Sequence, residues 1–198
     1  LVAVACTNRS TSSEQDEMRH WNNVLQQINA LLLENKARQT LDLAKQTLPE
    51  ILESAEKNGT TDTLIYYARK IFNACGNNYI NTKQYKDGID YMDSIGNHPL
   101  IREHCPHELL SFKAGLNQLY GNNPEAVRLA EDYLQLPVCT SANDFIRQAE
   151  IISGVYMYSG NNLPKAIQIL EKAIDVYRKG GNFPNMLRIM SQIGRASC

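Results

Sequence analysis

The sequence predicts an all-α protein built as a stack of antiparallel helix pairs. Only seven prolines and eleven glycines interrupt its 198 residues, and the stretches between them are rich in Leu, Ala, Gln, Glu and Lys, which favour helix over sheet. Small residues recur with a period close to 39 residues, which indicates a repeated structural unit. Within those units, apolar residues follow the helical spacing of i, i+3 and i+4.

The first thirteen residues combine a short apolar run, LVAVAC, with a polar segment rich in Ser and Thr. The segment from Ala3 to Cys6 resembles the lipobox of a bacterial lipoprotein signal, in which the cysteine is lipidated and becomes the mature amino terminus. This resemblance implies an exported, periplasmic or cell-envelope protein. Residues 1–13 are then a signal remnant and a flexible tether, with the lipid on Cys6. The alternative is the frayed amino terminus of a cytoplasmic protein.

The next predicted element, residues 14–60, is a helical hairpin. Its helices are expected from Glu14 to Asn35 and from Lys36 to Asn58, with Asn58-Gly59 acting as the helix stop. The segment lacks the small-residue signature of the later units. We therefore expect a divergent pair that caps the stack.

Small residues mark the period from about residue 61 to the carboxyl terminus. The glycines that define it are 39, 39 and 40 residues apart: Gly76, Gly115, Gly154 and Gly194. A second small residue follows each of the first three by 12, 11 and 12 positions: Gly88, Ala126 and Ala166. Small side chains at both places let two helices approach closely, so each unit is predicted to be a helical hairpin.

The second helix of each unit has one apolar face. In AIQILEKAIDVY this face consists of Ala166, Ile169, Leu170, Ala173, Ile174 and Tyr177. The corresponding faces of the two earlier helices are Ala126, Leu129, Ala130, Tyr133 and Leu134, and Gly88, Tyr91, Met92 and Ile95. No such helix can bury its face alone, so neighbouring units must cover it.

Two of the connecting turns are nearly identical, LYGNNPEAV and YSGNNLPKAI. Gly121 and Gly160 are expected to end the first helix of each pair, and the Asn residues to tolerate left-handed backbone. Pro124 and Pro164 suit the first turn of the following helix.

These patterns resemble tetratricopeptide repeats. That family has a bulky residue, then Leu-Gly and Tyr on helix A, followed by Ala, an aromatic residue or Leu, and Ala on helix B. Two units carry the pattern, the second with one extra turn residue: Phe72, Cys75, Gly76, Tyr79, Tyr85, Gly88, Met92 and Ile95; and Ile152, Tyr156, Ala166, Leu170 and Ala173. Helix A of the middle unit departs from the family register by one or two residues at Leu109, Phe112, Leu116 and Leu119.

The resemblance implies a right-handed superhelical α-solenoid of about four hairpins plus a truncated last helix. Its repeats would span about 62–103, 106–140 and 143–180, with a partial repeat at 184–198. A lone helix A leaves its apolar face without its helix B. We therefore expect this chain to be a piece of something longer.

Charge and motifs argue against several classes of function. Lys and Arg total 20 against 21 for Asp and Glu, so no basic excess is present to bind nucleic acid. The sequence has no GxSxG, HExxH or GxxxxGK[ST] motif and no paired acid and base. We expect neither an enzyme in this segment nor a cofactor.

The densest set of potential metal ligands comprises His98, His104, Cys105 and His107. Two prolines lie among them and the spacing is not that of a known zinc finger, so the segment is interpreted as a loop between repeats, without a metal. A disulfide between Cys105 and Cys139 is conceivable in an oxidising periplasm if geometry allows it.

Candidate ligand-binding residues lie on helix A of the first clear repeat, where Asn73, Asn77 and Asn81 follow one another at i+4. In the family that the chain resembles, helix A lines the concave groove, and an Asn at the position of Asn77 often bonds a peptide backbone. The same resemblance adds three groove candidates: Arg147, Glu150 and Arg188. Asn73 occupies the place of the carboxylate-binding lysine, so capture of a carboxyl-terminal peptide is not implied. The alternative is a solvated polar face.

The expected function is non-enzymatic binding of a peptide or protein segment on the concave face, as a scaffold or as a sensor input. The alternative is the extracytoplasmic sensor region of a two-component histidine kinase or of a membrane-tethered helix-turn-helix regulator. Membrane attachment would use the lipid anchor in the first case and a segment beyond residue 198 in the second. The sequence leaves the ligand and the oligomeric state open.

Overall fold

A computed structural model describes residues 10–137, 142–179, 190, 191 and 194, with the side chains of all of these except 10–14, 142–146 and 177. The described residues form nine α-helices and no strand, which confirms the predicted all-α class. The helices are α1 Ser10–Leu33, α2 Ala37–Asn58, α3 Asp62–Asn81, α4 Tyr85–Ile95, α5 Pro99–His104, α6 Pro106–Tyr120, α7 Asn123–Gln135, α8 Ala142–Tyr158 and α9 Leu163–Lys179. The chain divides into two compact units, Leu1–Thr82 and Lys83–Cys198.

The first unit contains α1, α2 and α3, each packed against the other two. The apolar side chains buried between them include Trp21, Val24, Ile28, Leu41, Ala44, Leu48, Ile51, Leu64, Ala68, Ile71, Phe72, Cys75 and Tyr79. Helix α2 ends at Asn58, followed by Gly59 at φ 84°, as the Asn-Gly pair predicts. The Thr61 hydroxyl oxygen accepts a hydrogen bond from the Leu64 backbone N–H at 3.3 Å and so caps α3.

The second unit contains α4 to α9, in which α6 packs against α7 and α8 packs against α9. The ring of His107, early in α6, lies 5.7 Å from that of Tyr133, late in α7, so these two helices run antiparallel. The Tyr133 hydroxyl donates to Gln148 Oε1 near the start of α8 at 3.1 Å. Ser159 Oγ, just after α8, donates to Asn123 Oδ1 at the start of α7 at 2.8 Å. Helices α7 and α8 are therefore antiparallel as well.

The core of the second unit uses the predicted faces of α7 and α9, and it buries Ala126, Leu129, Ala130, Tyr133, Ala166, Ile169, Leu170, Ala173 and Ile174. Small residues also lie where helices meet, since Ala114 and Ser153 are buried. Gly154 is an exception to the sequence prediction. A Cβ built on it meets no atom of the described residues within 4 Å, so its neighbour Ser153 is the small residue at the helix contact.

The buried face of α6 differs from the apolar pattern read from the sequence. Phe112 and Leu116 are buried as predicted, whereas Leu109 is half-buried and Leu119 is 39% exposed. Polar side chains take part in this face and bond to carbonyls of their own helix. Ser111 Oγ donates to the Glu108 carbonyl at 3.1 Å, and Asn117 Nδ2 donates to the Lys113 carbonyl at 2.8 Å.

The two similar turns place left-handed backbone at different residues. Gly121 is the left-handed residue after α6, at φ 96°. After α8 the left-handed residue is Asn161, at φ 43°, in keeping with the expectation that the Asn residues of these turns tolerate this conformation. Gly160 is needed for space instead, because a Cβ there would lie 3.3 Å from Tyr156 Cδ1 and 3.4 Å from Val127 Cγ2.

Candidate functional site

The candidate site is a row of side chains along one face of α3. Its members, which we call the α3 stripe, follow the spacing i, i+4, i+7, i+11 and i+15: Tyr66, Lys70, Asn73, Asn77 and Asn81. Successive positions at this spacing stay within a narrow arc of a helix. Tyr66 is 51% exposed, Asn81 is exposed, and the three residues between them are half-buried. The stripe is therefore partly accessible to solvent, and other residues of α3 pack against α1 and α2.

The three asparagines predicted from the sequence thus share one accessible face. Asn77 Nδ2 donates to the Asn73 carbonyl at 2.9 Å, which holds the side chain along its own helix. The neighbouring Asn78 is fully buried, and its Nδ2 donates to the Ala74 carbonyl at 2.8 Å. Of the two adjacent asparagines, Asn77 is therefore the more accessible.

Aromatic packing supports the amino-terminal end of the stripe. Tyr66 lies edge-on to Tyr67, with ring centroids 5.4 Å apart and planes at 74°. The Tyr67 ring lies 6.0 Å from that of Trp21, which is buried between the helices. Tyr66 is thus exposed on one side and held on the other by an aromatic row that reaches the core.

The remaining sequence candidates lie elsewhere. Arg147 and Glu150 are on α8 in the second unit, where Arg147 Nη1 lies 3.8 Å from Glu150 Oε2. Glu150 is the more buried of the two, and its backbone carbonyl accepts from Ser153 Oγ at 2.9 Å. Arg188 lies outside the described residues, as do Cys6 and Cys139. The structure therefore brings the three asparagines together and pairs Arg147 with Glu150.

In the histidine-rich segment from His98 to His107, both of these histidines hydrogen-bond to the backbone. His98 Nδ1 accepts from the Leu100 backbone N–H at 3.2 Å and so caps α5. His107 Nε2 donates to the Pro137 carbonyl at 2.6 Å, and Cys105 is a buried thiol. Nowhere in the described ranges do three or more His, Cys, Asp or Glu side chains form a group that could hold a metal ion.

A polar contact joins three helices of the second unit. Lys165 Nζ on α9 donates to both carboxylate oxygens of Glu131 on α7, at 2.5 and 2.7 Å. The same ammonium lies 4.8 Å from the centroid of the Tyr156 ring on α8. The hydrogen bond from Lys165 lowers the pKa of Glu131 below its ordinary value. Burial raises the pKa of Tyr156, and the neighbouring Glu131 carboxylate raises it further.

Sequence reasoning did not include Tyr66 and Lys70 among the site residues, although helical spacing places them on the same face as the asparagines. Extending the i+4 row of asparagines toward the amino terminus by three and then four residues reaches both. It identified Tyr156 but missed Asn78 and Asn117, which are buried polar residues at the same 39-residue interval on α3 and α6. Asn117 shows what such a residue does, because its Oδ1 accepts from Asn122 Nδ2 at 3.1 Å and so braces the following turn.

Comparison with known proteins names no family for this chain. No protein-family model matches the sequence, and no curated protein matches it. In the described part of the chain, no helix has both the length and the apolar character needed to cross a bilayer. The function therefore has to be argued from the α3 stripe itself.

Proposed function

We propose that this chain is a helical-repeat module of the tetratricopeptide type that binds an extended peptide or protein segment along the α3 stripe. The observation that carries the proposal is the alignment of Asn73, Asn77 and Asn81 on one accessible helix face. The repeat architecture is supported by the antiparallel order of α6, α7 and α8 and by the packing of α6 against α8.

The spacing of the asparagines suits an extended chain. Residues four apart in a helix are about 6 Å apart along the axis. Alternate residues of an extended peptide are about 6.6 Å apart. Three amides at successive i+4 positions therefore meet every second residue of such a peptide, which presents backbone N–H and C=O groups at that interval. Because an amide both donates and accepts, it can bond either group.

Rigidity favours binding by this face. Helix α3 packs against two helices, and the Asn77 amide is already bonded to its own helix. Ordering entropy on binding is therefore paid chiefly by the peptide. The expected affinity is modest, since each new hydrogen bond contributes about 0.5–1.5 kcal/mol net.

Replacing Asn77 by Ala tests the proposal. Peptides are first selected from a random phage-displayed library on the full chain, and their dissociation constants are then measured by fluorescence anisotropy. Asn77→Ala is expected to weaken binding about tenfold, corresponding to one or two lost hydrogen bonds.

The matched control is Asn97→Ala. Asn97 is exposed and makes the same kind of bond, with Nδ2 donating to the Asp93 carbonyl at 2.9 Å, but it lies off the stripe. Its replacement should leave affinity unchanged. Equal affinities of the Asn77→Ala variant and the parent chain, or failure to select any peptide, would refute the proposed function.

A further inference from the structure

Lys70 is the charged member of the α3 stripe and, like Lys45 over Tyr79, it lies over a tyrosine ring. Its Nζ lies 5.7 Å from the centroid of the Tyr66 ring. No carboxylate of the described residues lies within ion-pair distance of it. By contrast, Lys36 and Lys57 are paired with Glu34 and Glu53, at 2.6 and 2.5 Å.

The contact with the Tyr66 ring positions the ammonium group of Lys70. The Tyr66 ring packs edge-on against Tyr67, and its face contacts Lys70 at the amino-terminal end of the stripe. An ammonium has three N–H donors, and a ring face satisfies them only weakly. The stripe therefore presents a positioned positive charge beside a row of neutral amides.

From this charge pattern we infer that the segment bound by the α3 stripe carries an acidic side chain, which pairs with Lys70. The inference rests on the proposed function, because it assigns chemistry to the same peptide. Lys70 and Asn77 are seven residues apart, or about 10 Å along the helix axis. An extended peptide covers that distance in about three residues. The Asp or Glu is thus expected about three positions from the residue that meets Asn77.

Parallel selections test the inference. A random phage-displayed peptide library is selected on the full chain and on Lys70→Glu. Peptides from the parent chain should be enriched in Asp or Glu at one position, and those from Lys70→Glu should lose this enrichment and favour Lys or Arg there. For one acidic peptide, Lys70→Gln should weaken binding about two- to fivefold, as expected for an accessible ion pair. The peptide with that acid changed to its amide should not respond to Lys70→Gln.

Lys57→Gln is the matched control, since it removes a lysine charge from α2, off the stripe, and should leave affinity unchanged. Thermal melts followed by circular dichroism establish that each variant is folded. If peptides depend on Asn77 but show no acidic enrichment, or if Lys70→Glu keeps the enrichment, this inference is wrong and the proposed function stands. Loss of the Asn77 dependence overturns both.

Discussion

Replacing Gly154 by Ala is expected to stabilise the second unit. Gly154 lies in the interior of α8, which spans Ala142–Tyr158, and its backbone does not have a positive φ. Glycine in a helix interior costs stability, because it loses more conformational freedom on folding than alanine does. Within the part of the chain that the structure describes, a methyl group at this position would meet no atom within 4 Å. The substitution therefore removes an entropic cost and adds no clash.

The magnitude follows from helix propensity. Alanine is more favourable than glycine in a helix interior by about 0.8–1.0 kcal/mol. For a chain of this size, 1 kcal/mol corresponds to a rise in Tm of about 2–4 °C. Thermal unfolding followed by circular dichroism at 222 nm resolves such a shift, with the wavelength chosen at about the helical minimum because every described element is a helix.

Gly96→Ala is the matched control, because the same change there meets atoms. A Cβ on Gly96 would lie 2.7 Å from the Met92 carbonyl oxygen and 2.9 Å from both methyl carbons of Leu109. This variant should lose about 1–3 kcal/mol through overpacking. A lower Tm for Gly154→Ala would refute the reasoning. It would mean that α8 is closely packed at Gly154, as the sequence period alone predicts.

Two further predictions concern pH, and both follow from the contact among Glu131, Tyr156 and Lys165. The lowered pKa of Glu131 stabilises the fold above the ordinary glutamate pKa of about 4.3, and this contribution is lost as pH falls through the lower folded value. When the free energy of unfolding is measured with urea at a series of pH values, Glu131→Gln should reduce its loss at acid pH by about 0.5–1 kcal/mol. The effect is limited because both partners are partly exposed. An equal loss at acid pH in the parent chain and the variant would contradict this prediction. The raised pKa of Tyr156 stabilises the fold below about pH 10, and this contribution declines above that pH by up to about 1.4 kcal/mol per pH unit, because the unfolded chain ionises first. Tyr156→Phe should lack this part of the alkaline decline in the same assay, and an unchanged alkaline limb would show that Tyr156 ionises alike in both states.

The helices with a regular apolar period were predictable, and the reason is physical. The faces of α7 and α9 follow i, i+3, i+4 spacing with apolar residues alone, so hydrophobic burial determines them. Helix α6 was harder because Ser111 and Asn117 are buried polar residues. Each bonds to a carbonyl of its own helix, which removes most of the cost of burial but leaves no signal in an apolar pattern.

In the candidate site, too, the sequence predicts some features and others are visible only in the structure. Helical spacing alone places Asn73, Asn77 and Asn81 on one face, and the structure shows that this face is accessible. The role proposed for Lys70 depends on the Tyr66 ring beneath it and on the absence of a carboxylate among its described neighbours. The contact with Tyr66 is local, because the two residues are four apart on α3, whereas the absence of a described carboxylate is a fact of tertiary structure. Gly154 is similar, since the space around a glycine is set by the neighbouring helices and not by its place in a repeat.

The hydrogen bond from Ser159 to Asn123 bears on how freely the repeats can be exchanged. When LYGNNP and YSGNNLP are aligned on their glycines, Ser159 takes the place of Tyr120 and Leu163 is the extra residue. Ser159 reaches back to the earlier turn. A chimera carrying two copies of the shorter turn would keep the Gly-Asn-Asn sequence and lose the hydrogen bond from Ser159. The second turn is thus adapted to its contact with the first, and a consensus sequence averaged over the two turns would lose this hydrogen bond.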